Sequence, residues 1–264
     1  MPIEVERDGG IWTITINRPE RRNALDLPHF QMLASAWLDF RDDPEARVAI
    51  VTGVATSFCV GADLKSFVPA VTDNVEDLAA GRSEMPADAG LVAVLREFDL
   101  WKPVIAAVNG LCVAGGMEML LGTDIRIASE DASFGIFEPK RGLFPGGGTT
   151  VRLPRQIPFP WAMEILLLCR AVDADTAFRM GLVNTVVPRN RLMAEARKWA
   201  EEIIENAPLA IEAVKKSVLT GLRMNLKEAF EQELALAAEV FMTEDAREGP
   251  LAFAQKRKPV WQGK

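Results

Sequence analysis

Three short apolar runs constrain the fold of this 264-residue chain more than any other feature of its sequence. Val48–Thr52 and Val104–Val108 are continuously apolar, and Ile125–Ala128 is interrupted only by an arginine. Runs of this kind are typical of strands buried on both faces of a sheet. An alternating strand at 11–16 and an amphipathic helix at about 28–42 precede them, so strands alternate with helices. The fold class is therefore predicted as α/β with a largely buried sheet.

The last quarter of the chain carries helical patterning and little else. The segments with this pattern are 191–206, 208–221, 225–242 and 244–257, and Thr243 is the predicted N-cap of the last one. We therefore divide the chain into an α/β part, 1–190, and a helical part, 191–264. The third helix has more apolar side chains than one buried surface needs: Leu226, Phe230, Leu234, Leu236, Val240 and Phe241. These side chains would contact another subunit or, alternatively, cover the sheet.

One long polar segment, 66–90, interrupts the α/β part and contains two prolines. We interpret it as a mobile loop with about one helical turn. Long loops inside compact domains are usually functional, and a disordered insertion is the alternative.

Composition excludes several classes of protein. Lys and Arg number 30 and Asp and Glu 37, and this net charge of −7 disfavours nucleic-acid and anionic-membrane partners. The single histidine, His29, excludes a His-based zinc site, and no metal site is predicted. His29 is expected in the first turn of a surface helix, as a solvated or capping residue, so acid–base chemistry falls to carboxylates.

The cysteines and the N-terminal sequence bear on the cellular compartment. The three cysteines lie far apart and form no CxxC motif, which predicts reduced thiols. The first ten residues, MPIEVERDGG, lack the hydrophobic region of a signal peptide, and no apolar stretch is long enough to cross a bilayer. We expect a cytoplasmic protein without a membrane partner.

Two glycine-containing turns each follow a buried strand, at 58–64 and 109–118. Neither matches a phosphate-binding signature, since the chain has no GxxxxGK[ST] and no GxGxxG after a strand. A helix beginning at Gly115 would present free N–H groups, and two such groups converging on one carbonyl oxygen form an oxyanion hole. An ordinary connection between strand and helix is the alternative.

Two glutamates have apolar sequence neighbours. Glu118 lies on the same predicted helix face as Gly115, and no Lys or Arg occurs within four residues of it. Burial would raise its pKa and the helix N-terminus would lower it, which suits a general acid or base. A surface position in the first helical turn is the alternative. Glu138 follows a second apolar stretch, and ion pairing with Lys140 or Arg141 is its alternative.

An ordered set of segments resembles the enoyl-CoA hydratase/isomerase (crotonase) family from Asn17 to the C-terminus. The matching segments are 17–25 (NRPERRNAL), 58–65 (FCVGADLK), 102–110, 114–118 (AGGME), 134–138, 142–149, 180–184 and 244–257. The resemblance implies a crotonase-like spiral of ββα units followed by an α-helical C-terminal oligomerisation region. Residues 1–190 would then form the acyl-CoA-binding core, and 191–264 the trimerisation region.

The resemblance also implies an activity. It points to an enoyl-CoA hydratase that acts on an acyl-CoA thioester, needs no cofactor because coenzyme A is part of the substrate, and assembles as a homotrimer or a dimer of trimers. The alternative is a Δ3-Δ2 enoyl-CoA isomerase, which would need only Glu138, or another acyl-CoA enzyme of the crotonase family. A different class, a non-catalytic acyl-CoA-binding or RNA-binding family member, is disfavoured, and RNA binding in particular because 191–206 mixes acidic and basic residues.

Site residues follow from the same resemblance. The N–H groups of Ala62 and Gly115 would bind the thioester oxygen, Glu118 would deprotonate water, and Glu138 would protonate C2. Substrate-binding positions are implied at Arg21, Arg22, Ala24, Gly61, Ala62, Asp63, Leu64, Lys65, Gly115, Phe137, Phe253 and Lys256. Phe253 and Lys256 would complete the CoA site of a neighbouring subunit, or Lys256 would belong only to a solvated basic helix end.

The sequence departs from the family pattern at three places. Ala114 replaces the first glycine of a usual triple, Phe137 replaces a proline before Glu138, and the loop around Phe144 and 147–150 differs slightly. Phe137 is expected to reposition Glu138 or to narrow the acyl pocket, whose walls we expect from 66–90 and 137–144.

Overall fold

A computed structural model describes residues 2–73, 76, 87–96 and 98–264. Its strands are β1 (Ile3–Asp8), β2 (Ile11–Ile16), β3 (Val48–Gly53), β4 (Ser57–Cys59), β5 (Val104–Val108), β6 (Leu111–Val113), β7 (Ile125–Ser129), β8 (Ser133–Gly135), β9 (Val172–Asp173) and β10 (Thr185–Val187). Its helices are α1 (Leu27–Asp42), α2 (Phe67–Thr72), α3 (Ala87–Ala93), α4 (Gly115–Leu120), α5 (Thr149–Gln156), α6 (Phe159–Leu168), α7 (Ala174–Arg179), α8 (Leu192–Ile204), α9 (Pro208–Gly221), α10 (Leu226–Phe241) and α11 (Asp245–Ala254).

The strands form two sheets that the chain visits in turn. The larger sheet has the order β1-β2-β3-β5-β7-β10 and the smaller one β4-β6-β8-β9. Strands β3, β5 and β7 of the larger sheet are each followed along the chain by β4, β6 and β8 of the smaller one, and each set pairs in parallel. Each sheet also has one antiparallel pair at an edge, β1 with β2 and β8 with β9. The repeated alternation of parallel strands between the two sheets is the spiral that the resemblance implies, so the predicted fold class is confirmed.

The three apolar runs are strands of the larger sheet and are covered on both faces. On one face Val51, Val104 and Ala106 join a core that includes Leu33 and Trp37 of α1. On the other face Ile50, Ile105 and Ile127 pack with three residues of α8, which are Leu192, Ala196 and Ala200. Burial on both faces explains why these strands lack the alternation seen in β2.

The helices of the last quarter lie where periodicity predicts them. Helix α9 matches its predicted range, while α8 and α10 are shorter by one or two residues at each end. The Thr243 Oγ1 accepts a hydrogen bond from the Ala246 N–H at 3.1 Å, in agreement with the predicted cap. Helix α11 stops before the predicted end because Lys256 adopts a left-handed conformation (φ 54°) and the Arg257 N–H returns to the Ala252 carbonyl. The division of the chain at residue 190 stays a prediction.

The segment 66–90 contains more helix than predicted. Helices α2 and α3 occupy its two ends, whereas we expected about one helical turn. Helix α3 is stabilised by packing on α1, which local sequence does not reveal. The Trp37 Nε1–H donates to the Ala93 carbonyl at 3.2 Å, and Ala93 is buried. Residues 74, 75 and 77–86 of this predicted loop lie outside the described residues.

His29 is not the surface residue that we expected. Only 8% of it is exposed, and its Nδ1 lies 2.5 Å from Asp26 Oδ1. The helix cap is Asp26, whose carboxylate accepts from the His29 N–H at 3.1 Å. Pairing with the capping carboxylate satisfies Nδ1 of the buried imidazole, while its Nε2 has no hydrogen-bond partner among the described residues.

Among the described residues, no helix combines the length and the hydropathy needed to cross a membrane.

Candidate active site

The two glycine-containing turns predicted from the sequence pack directly against each other. Gly61 has a φ of 83°, and a Cβ atom there would lie 2.5 Å from the Gly115 nitrogen. A Cβ atom on Gly115 would lie 3.1 Å from the Gly61 Cα and 3.6 Å from the Ala62 nitrogen. Glycine at both positions therefore lets the backbones at Ala62 and Gly115 approach closely.

The N–H groups of Ala62 and Gly115 have no acceptor among the described residues. Their neighbours are engaged: the Leu25 N–H donates to the Gly61 carbonyl and the Asp63 N–H to the Leu25 carbonyl, both at 2.8 Å. Gly115 is the first residue of α4, where N–H groups lack intrahelical partners. Two unpaired donors in adjacent turns have the chemistry of an oxyanion hole.

Ala114 stands in a backbone conformation that favours glycine, with φ 53° and ψ −127°. Its N–H donates to the Gly135 carbonyl at 3.0 Å, and its carbonyl accepts from the Glu118 N–H at 3.0 Å. These hydrogen bonds hold an alanine where the family pattern has glycine. The substitution thus leaves the turn before Gly115 intact.

Glu118 is buried, with 8% of the residue exposed, so a surface position in the first helical turn is wrong. Its Oε1 accepts from the Gly147 N–H at 2.5 Å, and a side chain at Gly147 would overlap the carboxylate. Burial, together with the negative charge of Glu138, raises the pKa of Glu118 to about 7, while the Gly147 hydrogen bond and the charges of Arg96 and Arg152 act in the opposite direction. This carboxyl group changes its charge near neutral pH.

Glu138 lies between β8 and a short 3₁₀ turn that begins at Pro139. Its Oε2 accepts from the Phe137 N–H at 2.9 Å, and burial raises the pKa of the Glu138 carboxyl group. The alternative of ion pairing is wrong: Arg141 donates to the Phe137 carbonyl at 3.0 Å, and Lys140 lies over the Phe137 ring at 5.7 Å. Within the described part of the chain, neither cation lies within ion-pairing distance of Glu138, and Arg141 acts on it only through its charge, which lowers the pKa of Glu138.

Sequence reasoning missed two arginines near Glu118. The Arg152 Nη1 donates to the backbone carbonyl of Glu118 at 3.4 Å, across 34 positions of the chain. Arg96 donates to the Gly146 carbonyl, next to the residue that binds the Glu118 carboxylate. Both arginines lower the pKa of Glu118 by charge. Neither lies near Glu118 in sequence, so no local pattern identifies them.

A third arginine, Arg18, braces the first glycine-containing turn. Its guanidinium donates to the Ala24 carbonyl at 3.0 Å and lies 3.2 Å from Asp63 Oδ2 and 3.1 Å from Asp26 Oδ2. The other Asp63 oxygen accepts from the Lys65 N–H at 2.9 Å. Asp63, a predicted substrate-binding residue, therefore also holds the shape of the turn.

The remaining predicted substrate-binding positions in the α/β part surround these turns. The backbone of Leu25 bridges to Ala62, which brings the segment 21–24 beside the first turn. Ala24 is buried, and the exposed positions are Arg21, Arg22, Leu64 and Lys65. Phe137 is half-buried against Gly135, where a Cβ atom would lie 3.0 Å from its ring.

The C-terminal positions lie elsewhere in the chain. Phe253 is 87% exposed, and Lys256 is exposed. The tail that carries them is held by the Trp261 Nε1–H, which donates to the Glu205 carbonyl at 2.8 Å. Near Gly263 the tail also approaches Arg47, which immediately precedes β3. The turns at Ala62 and Gly115, by contrast, follow the ends of β4 and β6. Completion of a neighbouring subunit's site by Phe253 and Lys256 stays a prediction.

A family model described as enoyl-CoA hydratase/isomerase matches residues 6–264. The chain belongs to this family. Enoyl-CoA hydratase EchA19 of Mycobacterium tuberculosis is 41% identical over 261 residues, which cover 98% of this chain and 96% of that protein. Carnitinyl-CoA dehydratase of Salmonella typhi is 40% identical over 271 residues, which cover 99% of this chain and 98% of that protein.

Solved structures of the crotonase family have the same fold as this chain. An enoyl-CoA hydratase from Mycobacterium tuberculosis has a TM-score of 0.89 and 37% identity, and covers 100% of this chain and 99% of its own. An enoyl-CoA hydratase from Bacillus anthracis has a TM-score of 0.90 and 33% identity, with 100% of both chains covered. The protein is therefore a crotonase-family acyl-CoA enzyme, and the resemblance found in the sequence is confirmed.

Proposed function

We propose that this protein is an enoyl-CoA hydratase, which adds water reversibly to a 2-trans-enoyl-CoA and forms a 3-hydroxyacyl-CoA. The observation that carries the proposal is a pair of carboxyl groups, the buried Glu118 and the half-buried Glu138, both with a raised pKa. They accompany the unpaired N–H donors of Ala62 and Gly115. The names of the two relatives, a hydratase and a dehydratase of CoA thioesters, support addition or removal of water.

The oxyanion step uses the backbone. When water attacks C3 of the conjugated thioester, negative charge accumulates on the thioester oxygen as an enolate. The N–H groups of Ala62 and Gly115 would donate to that oxygen. Donors of this kind are worth about 3–4 kcal/mol each in transition-state stabilisation.

The proton steps use the two carboxyl groups. Glu118 takes a proton from the attacking water as the C3–O bond forms, and Glu138 delivers a proton to C2 as the enolate collapses. Glu118 ends protonated and Glu138 ionised, and exchange with solvent restores both. A base with a pKa of about 7 is suited to proton transfer near neutral pH. Because the two groups interact, they titrate as a coupled pair.

A Δ3-Δ2 enoyl-CoA isomerase is the second candidate, since the family description includes isomerases. That reaction moves one proton between C4 and C2 and needs only Glu138. Glu118 is buried and accepts a hydrogen bond from the Gly147 N–H, and this favours hydration. In an isomerase the Glu118 carboxyl group would have no function.

The test is an assay of the purified protein on a panel of enoyl-CoA substrates of different chain length and bulk. Hydration predicts loss of the absorbance of the conjugated thioester and a 3-hydroxyacyl-CoA product by mass spectrometry. Isomerisation predicts a gain of that absorbance from a 3-enoyl-CoA. A panel in which no 2-enoyl-CoA is hydrated would overturn the proposal, and the substrate turned over fastest would identify the acyl group.

A further inference from the structure

Arg152 forms three hydrogen bonds with backbone carbonyls of two separate elements. Its Nη1 donates to the Val94 carbonyl at 3.2 Å and to the Glu118 carbonyl at 3.4 Å, and its Nη2 donates to the Leu95 carbonyl. Val94 and Leu95 form the turn that ends α3, whereas Glu118 lies on α4. One side chain thus joins the helix that carries a candidate catalytic group to the end of α3.

The chain around Arg152 is shaped to admit this side chain. Leu95 adopts a left-handed conformation with φ 56°, which directs the final carbonyls of α3 toward the guanidinium. Gly122, just after α4, leaves a gap: a Cβ atom there would lie 2.8 Å from the Arg152 Nη1 and 2.7 Å from the Leu95 Cβ. The positive φ of Leu95 and the absence of a side chain at Gly122 therefore both make room for the Arg152 guanidinium.

The same region fixes the carboxylate of Glu118 from the other side. Arg152 belongs to α5, which begins immediately after the turn containing Gly147, the donor to Glu118 Oε1. Arg96, which follows Leu95, donates to the Gly146 carbonyl in that turn. The backbone and the carboxylate of Glu118 are therefore held by one connected set of contacts.

We propose that Arg152 is a positioning residue for the reaction: by joining α4 to the end of α3, it sets both the placement and the charge state of the Glu118 carboxylate. The charged groups that face Glu118 are Glu138, which opposes its ionisation, and Arg96 and Arg152, which favour it. Arg152 is itself half-buried, so water screens its charge less than it would screen the charge of a surface arginine. The effect on rate rests on the proposed function, but the effect on the titration of Glu118 does not.

The experiment compares Arg152→Lys and Arg152→Gln with the wild-type protein. Lysine keeps the positive charge, but its single ammonium group cannot reproduce the planar fork that reaches three carbonyls. Glutamine removes the charge. Arg155→Gln is the matched control, because Arg155 lies on the same helix and is exposed, and among the residues that the structure describes its side chain donates to the Val151 carbonyl of that helix and to no other group.

The first measurement is the titration of Glu118 without substrate, followed by ¹³C NMR of glutamate labelled at the carboxyl carbon, with Glu118→Gln identifying the resonance. The midpoint in the wild type is expected at about 7. Arg152→Gln is expected to move it upward, Arg152→Lys less so, and Arg155→Gln not at all. This readout stays informative even if the protein hydrates no enoyl-CoA.

The second measurement is the steady-state rate. Arg152→Lys is expected to lower kcat by roughly 10- to 100-fold with KM nearly unchanged, because the base is misplaced while substrate contacts remain. Thermal melting distinguishes a variant that has lost its fold from one in which only the Glu118 carboxylate is displaced. If Arg152→Gln does not fold, the result for Arg152→Lys tests the proposal. Variants that melt earlier but keep the wild-type Glu118 midpoint and kcat would contradict the proposal and leave Arg152 with a purely structural role.

Discussion

Among single residues, two carboxyl groups carry the proposed chemistry. Glu118→Gln and Glu138→Gln are each expected to lower hydration by about 100-fold or more, the usual contribution of a general acid or base, while thioester binding is retained. Glu130→Gln is the control, since Glu130 is exposed on the surface. The measurement is kcat together with binding of an unreactive acyl-CoA analogue. Near-normal turnover in either variant would rule out a mechanism with two carboxyl groups.

The raised pKa of Glu118 also predicts how stability depends on pH. Its pKa rises from 4.5 to about 7 on folding, so the native state binds more protons than the unfolded state between these values. The stability contributed by protonated Glu118 is complete below about 4.5 and is lost as pH rises through about 7. The loss is on the order of 3 kcal/mol.

Glu118→Gln cannot ionise and therefore avoids this loss. We expect the difference in Tm between the variant and the wild type to favour the variant more at pH 8 than at pH 5, as measured by calorimetry. An equal difference at both pH values would mean that Glu118 does not titrate in this range.

Among the elements, the first glycine-containing turn is held in place by contacts with the segment before α1. Arg18 contacts Asp63, and Leu25 pairs with the backbone on either side of Ala62. Arg18→Gln is expected to lower kcat by about tenfold with a smaller change in KM, because the Ala62 N–H loses its fixed direction. Arg179→Gln, on the exposed surface of α7, is the control. An Arg18→Gln variant with wild-type kcat would show that the turn holds its shape without the brace.

Helices and strands could be predicted from the sequence where their buried side chains recur at a regular spacing. The strand Val104–Val108 and the helix Pro208–Gly221 lie where the pattern predicts them, because each element's own side chains determine its burial. Helix α3 was missed because its stability comes from packing on α1, which short apolar segments do not reveal. The contacts of Arg152 were missed for a related reason, since they join residues that are 34 to 58 positions apart.

The candidate site was predictable to a different degree. Glycine turns and isolated glutamates indicate chemistry locally, and the structure brings Gly61 against Gly115 and couples Glu118 to Glu138 by charge. Sequence does not indicate which buried group supports another across the fold. The contacts by which Arg18 and Arg152 support the site therefore became evident only from the structure.

At the scale of the whole molecule, the exposed face of α10 predicts assembly. Its large apolar side chains are exposed: Leu226 by 76%, Phe230 by 59%, Leu234 by 71% and Phe241 by 75%. Covering them would remove apolar surface from water, and the trimer or dimer of trimers that we expect would do so. Light scattering is expected to give a multiple of 29.0 kDa. A monomer at micromolar concentration would refute the expected assembly.

Assembly would also give the C-terminal tail its function. If Lys256 reaches the CoA phosphates of a neighbouring subunit, replacing it should raise KM for acyl-CoA and weaken the salt dependence of KM, with kcat little changed. Asparagine is the better replacement than alanine, because Lys256 has a φ of 54°, which asparagine tolerates. Lys264→Asn is the control, and an unchanged KM at low ionic strength would leave Lys256 a surface residue.

Hydration by two carboxyl groups leaves a distinctive isotopic composition in the product. The protein is incubated with a 2-enoyl-CoA in deuterated water enriched in ¹⁸O, and the product is analysed by mass spectrometry and NMR. This mechanism predicts a 3-hydroxyacyl-CoA with solvent oxygen at C3 and one solvent deuterium at C2, and it predicts that Glu118→Gln loses both together. Deuterium entering the thioester without oxygen at C3 would contradict it.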